Sequence, residues 1–193
     1  MFSHAEGSIT VASAQFSHAE GSNTTASGMA SHAEGSGTTA SDIFSHAEGN
    51  STTASGQFSH AEGNSTTASG VFSHAEGYNT AASGTGAHTE GQETTAKGSH
   101  SHAEGLGTKA SSSQQHAQGR FNIEDTGDIY AHIVGNGTTN DARSNAHTLD
   151  WSGNAWYAGT VECTGIILTS PNGTKYQISV ADDGTLSANA MPL

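Results

Sequence analysis

Along residues 2–119 the hydrophobic positions are small, sparse and strictly spaced. The stretch FSHAEGNSTTASGQ, residues 44–57, is followed at once by FSHAEGNSTTASGV, residues 58–71, and alanine holds two fixed places in each copy. His4, His18, His32, His46, His60, His74, His88, His102 and His116 mark nine copies, every interval being fourteen residues. An uninterrupted short repeat signals a solenoid, and its Thr, Ser and Gly content disfavours helix. Each copy contains two strand-like pieces, FSHAE and TTAS, parted by glycine-centred turns such as Gly49-Asn50-Ser51 and Gly56-Gln57. Strand alternation then sorts the faces. Ser45, Ala47, Thr52 and Ala54 are predicted to point inward, while Phe44, His46, Glu48, Thr53 and Ser55 point outward. The columns from Ala5 to Ala117 and from Ala12 to Ala110 therefore form the interior, with Thr89 the one small departure.

At about 3.3 Å per residue such a coil is flat, and only small side chains fit within it. Composition agrees: hydrophobic residues make up 32% of the 193, aromatics 6%, and glycines number 25. A roll filled with alanine and serine buries little apolar area to set against chain entropy of about 1–2 kcal/mol per residue. The outward Phe, His and Glu columns are thus expected to meet another surface, most simply in three rolls about a common axis.

Beyond the repeat the character changes. The pattern decays at Gln114-Gln115-His116-Ala117-Gln118-Gly119, and Phe121, Ile123, Ile129, Tyr130, Ile133, Val134, Trp151, Trp156 and Tyr157 introduce larger apolar groups. Asn136-Gly137 and Asn172-Gly173 are turn dipeptides. Residues 164–170 and 174–180 read as a hairpin, and Asp183-Gly184 as a turn before a strand over Thr185–Ser187. Domain bounds of 1–120 for the roll and 121–193 for a β-rich cap or tip follow.

The net charge of −13, from 18 acidic and 5 basic residues, argues against a nucleic-acid partner, which needs a basic face. No apolar run approaches the length of a spanning helix, so membrane insertion is not expected. A single cysteine, Cys163, excludes an intrachain disulfide framework and reads as part of a strand over Val161–Thr164. Met1 stands directly before Phe2-Ser3-His4, as a portion of something longer would begin.

The chemistry-bearing residues form a ladder: His4, Glu6, His18, Glu20, His32, Glu34, His46, Glu48, His60, Glu62, His74, Glu76, His88, Glu90, His102, Glu104 and His116. Glutamates about 4.8 Å apart repel one another unless a donor intervenes. Histidine two residues away, or from another chain, supplies it, which makes the ladder structural; a metal ladder and a receptor-binding ladder are the alternatives. His100 replaces Phe in the copy HSHAEG. Alternation puts His100 and His102 on one face, and three such pairs about a three-fold axis would offer six imidazoles to one transition metal ion per trimer. No other cofactor is expected. Catalysis is not expected either: the carboxylates are equivalent copies, whereas acid–base work needs unlike environments, and no nucleophile or phosphate-loop motif is present. Asp150-Trp151 and Trp156-Tyr157 read as core packing, with glycan stacking the alternative.

The Ser-His-Ala-Glu-Gly…Thr-x-Ala-Ser-Gly repeats over residues 2–119 resemble the head repeats of trimeric autotransporter adhesins. That resemblance implies an all-β, left-handed parallel β-roll of fourteen-residue coils, three chains to a head. Where that family carries aliphatic residues beside the alanine, this chain carries His and Glu, which implies a polar, hydrogen-bonded interface. Residues 130–161 and 165–186 are similar to C-terminal parts of tail fibres and receptor-binding proteins of phages and prophages of Gram-positive bacteria. The expectation is a homotrimeric phage tail-fibre portion in the virion, a structural and host-attachment protein that meets a bacterial surface glycan or protein receptor. The resemblances name no receptor-binding residue. A bacterial trimeric surface adhesin, and a self-processing or glycan-cleaving tail spike, are the rival readings.

Overall fold

The computed structural model describes residues 2–162 and 166–191 and is all-β. A parallel β-solenoid occupies the repeat, one coil per fourteen residues. The longer strand of each coil begins at the repeat histidine: His18–Ser22, His32–Ser36, His46–Asn50 and His60–Asn64 span five residues, shortening to His74–Ala75, His88–Thr89 and His102–Ala103. Short strands such as Thr53–Ala54 and Thr67–Ala68 form the opposite wall. Both walls are parallel and in strict register, so His46 pairs with His60, Ala47 with Ala61, Glu48 with Glu62 and Gly49 with Gly63.

The interior is the one alternation predicts. Ala47, Ala54 and Ala61 are fully buried, and Ser45 and Thr52 lie beside them. The columns close only at the second coil; Ala5 is exposed and Ala12 partly buried, the first coil being stacked on one side only among the described residues. Spacing is so tight that a Cβ on Gly63, whose φ is +105°, would lie 2.2 Å from the Gly77 carbonyl oxygen. Glycine is obligatory there.

Each coil turns at two left-handed corners. Ser51 and Ser65 hold one (φ 55° and 57°), and Phe44, Phe58 and Phe72 hold the other (φ 56°, 57° and 58°). The phenylalanine position is therefore a corner and not part of the strand that alternation extended over FSHAE. Stacked rings at 5.2 and 5.0 Å make it an exposed ridge from Phe44 through Phe72.

The long sheet does not stop at residue 120, where a boundary was expected. Tyr130–Asn136 adds in parallel to His116–Arg120, and Asn145–Asp150 and Ala155–Tyr157 then add antiparallel. One compact unit accordingly runs Met1–Ala158, and a second Gly159–Leu193. Ile133 settles on Ala117 and is fully buried, closing the alanine column. Polar residues seal the rest of that end. Gln115, standing where earlier coils have Ser, donates to Asp125 Oδ2 (3.0 Å) and the Tyr130 carbonyl (2.9 Å). Asn122, standing where they have Thr, accepts from Lys109 N–H and donates to the Lys109 carbonyl. These side chains are buried yet paired, as buried polar groups must be.

Of the larger apolar residues after the repeat, Phe121 and Ile133 are buried, while Ile123, Ile129, Trp151, Trp156 and Tyr157 are exposed. The expected core packing of the tryptophans is not seen within the chain. In the second unit Ile166–Thr169, Lys175–Val180 and Leu186–Ala190 form an antiparallel sheet, joined by the turns expected at Asn172-Gly173 and Asp183-Gly184. Cys163 lies outside the described residues, as does Thr164; Val161 and Glu162 carry no strand. Among the described residues no helix is long and apolar enough to cross a membrane.

Candidate functional site

Register alone builds the most regular surface on the molecule. Because histidine falls on histidine at every coil, the imidazoles stack: His18, His32, His46, His60 and His74 follow one another at centroid spacings of 4.7–4.8 Å with planes within 1° of parallel. The column runs on beyond the repeat. His132 lies 5.2 Å from His116, His147 5.6 Å from His132, and the Tyr157 ring 4.6 Å from His147. Eleven of the chain's twelve histidines thus share one row, His100 being the exception.

The glutamates interleave with them between coils. Nε2–H of His60 donates to Glu48 of the coil before at 3.2 Å, and the same step joins His46 to Glu34, His74 to Glu62, His88 to Glu76 and His116 to Glu104 at 3.1–3.4 Å. His102 and Glu90 stand at 3.5 Å. Only the first coils pair within a coil, His4 with Glu6 at 3.6 Å and His18 with Glu20 at 3.8 Å. Sequence reasoning expected a donor two residues away or from another chain; the partner along most of the row is the neighbouring coil of the same chain. Glu34, Glu48, Glu62, Glu76 and Glu104 thus each have a donor set between them and the next carboxylate, which relieves the like-charge column, whereas Nε2 of His18, His32 and His102 has no hydrogen-bond partner among the described residues. Both rows are about one-third exposed.

Burial disfavours the imidazolium form, and neighbouring histidines add to the effect. His32, His60 and His132 are accordingly held below the ordinary histidine range, with nearby glutamates opposing the shift. These three rings are therefore held towards the neutral imidazole form.

Triads such as His46, Glu48 and His60 bring three ligand atoms within 4.8 Å of one another. Parallel rings 4.7 Å apart nonetheless keep their equivalent nitrogens about that far apart with lone pairs side by side. Two metal–nitrogen bonds of about 2.1 Å cannot both reach one ion between them without rotating a ring. One His and one Glu per level remain geometrically available, and further ligands would have to come from another chain. His100 occupies a left-handed corner (φ 57°), packed over Gly86 of the preceding coil, whereas His102 stays in the row. Alternation through an extended strand, which put the two on one face, does not describe that corner, and no triad among the described residues includes His100.

The closed end of the roll holds the strongest ion cluster. Glu124 accepts from Lys97 (2.7 Å) and from the Ser111 hydroxyl (2.6 Å), with Lys109 at 3.2 Å. Partial burial would raise its pKa, but these three donors prevail and hold it at about 2. Sequence reading missed this cluster, whose members come from three separate coils. It ties the last coils together and leaves no unused acid.

No family model and no curated protein sequence matches the chain.

Proposed function

We propose that this chain is a structural and host-attachment protein: part of a homotrimeric phage tail fibre of the virion, presenting a distal tip to a receptor on a bacterial surface. One observation carries the reading. A single chain leaves uncovered the one-third-exposed His and Glu rows, the stacked and exposed Phe44–Phe72 ridge and, in the second unit, four apolar side chains that are each more than half exposed, Ile167, Leu168, Val180 and Leu186. A three-stranded sheet with bare apolar side chains needs a partner for stability. Three copies of this chain are the partner of least assumption, since each presents the same columns at the same spacing. Attachment then works by multivalency: three weak sites on one rod bind far more tightly than one. The resemblance of the repeat to trimeric adhesin heads supports the same assembly.

Native mass measurement and binding of labelled protein to bacterial cells test the reading together. A trimer that decorates cells is the expected outcome. A folded monomer at micromolar concentration, or a trimer with no affinity for any Gram-positive surface, would sink it.

A further inference from the structure

The last three strands of the long sheet enclose a concavity that the ladder does not use. Its volume is about 590 Å³, and Ile123, Tyr130, Asn145, Asp150, Asn154 and Trp156 are among its lining. That size falls within the ordinary range of small-ligand sites. Strand alternation divides the neighbouring aromatics between two faces. Tyr157 turns to His147 and ends the imidazole row, while Trp156, paired in register with Thr148, lines the concavity and is 55% exposed. We infer that this concavity is a binding site for a neutral saccharide, with the Trp156 indole as its stacking platform. The inference deepens the attachment reading above and rests on it.

The chemistry of the lining selects the ligand. A broad indole beside Ile123 offers a flat apolar face, which suits the C–H face of a pyranose ring. Hydroxyls need donors and acceptors around that platform. The Asn145 side-chain oxygen accepts from Ile123 N–H at 2.8 Å, and that of Asn136, also in the lining, accepts from the Ser144 hydroxyl at 2.6 Å. Both amide NH2 groups are left without a partner among the described residues. Asp150 adds acceptors, its Oδ1 held by the N–H groups of Ser152 and Asn154 and its Oδ2 by the Asn154 amide. No Lys or Arg lines the concavity, and the chain carries −13, so an anionic sugar or a phosphate is disfavoured. Asp150 is also the only carboxylate in the lining. Glycoside cleavage needs two, so the site binds without hydrolysing.

The experiment titrates the intact protein with an array of neutral and anionic oligosaccharides. It then repeats the titration with Trp156→Ala, and with Trp151→Ala, an exposed tryptophan outside the lining, as control. Expected is binding to one or more neutral sugars, weakened at least about tenfold by Trp156→Ala and less than about twofold by Trp151→Ala. The chain has two tryptophans, so Trp151→Phe leaves Trp156 as the sole indole. Saccharide must then shift or quench its emission, a readout that holds even if Trp156→Ala fails to fold. Neutral-sugar binding that leaves this emission unchanged overturns the site while attachment stands. Preference for anionic sugars, or cell binding with no saccharide recognised, does the same. Absence of both sugar and cell binding defeats the attachment reading itself.

Discussion

Replacing Ala61 by Leu tests the inside of the roll most directly. Ala61 is fully buried, its column neighbours Ala47 and Ala75 pair with it in register, and the opposite wall presents Ala54 and Ala68, also fully buried. A leucine adds three carbons where no cavity receives them. Relief by sliding is closed off, since both walls are hydrogen-bonded to the coils above and below and Gly63 already stands against Gly77. Overpacking of this kind costs about 1–3 kcal/mol. For a chain of this length 1 kcal/mol moves Tm by about 2–4 °C, so the fall is about 2–12 °C. Thr67→Leu is the control, because Thr67 points outward between buried Thr66 and Ala68; its effect stays within about 0.5 kcal/mol. Calorimetry or circular dichroism at one fixed protein concentration makes the comparison, since association itself shifts Tm. If both leucines leave the same melting curve, the assignment of faces is wrong.

Three further outcomes follow from the same geometry. His32, His60 and His132 bind protons less readily folded than unfolded, so their contribution to stability is complete above the unfolded value of 6.5 and is lost as pH falls below it towards their lowered folded values. Melting followed from pH 8 to pH 5 should show that decline, and replacing all three by Gln should flatten it. Changing Phe44, Phe58 and Phe72 together to Ser removes an exposed ridge, so light scattering should report loss of the trimer together with a lower Tm; an unaltered trimer places the interface elsewhere. Elemental analysis of untagged protein tests the ion expected from sequence at His100 and His102: because His100 stands at a corner apart from the histidine row, a metal content near zero with melting unchanged after chelation is the expected outcome, and one transition metal per trimer that is lost in His100→Phe would overturn it.

Periodicity explains what could be read before any coordinates. Nine copies of one pattern average away local ambiguity, so the buried Ala47 and Ala54, the parallel register and the spacing of the histidines all followed from one repeat unit. The features that escaped it are those where the chain leaves the extended state or the period. Left-handed corners at Phe58 and His100 rotate the chain out of strand alternation, and Phe, His or Gln at that place, unlike Gly or Asn, gives no sign of φ above zero. The cross-coil bond from His60 to Glu48 spans twelve positions backwards, a distance that depends on the stagger of the side chains and not on their order. His132 and His147 were illegible for another reason: the interval widens from fourteen to sixteen residues, and the next strand then reverses direction. That the imidazole row survives both changes is informative. Once the repeat ends, nothing in the backbone requires a histidine opposite His116 or beside it, yet two more stand there and Tyr157 closes the row. A surface extended past its own repeat is what the proposed trimer would need along the whole unit, a continuous face for two further chains, and an isolated patch of repeats would not supply it.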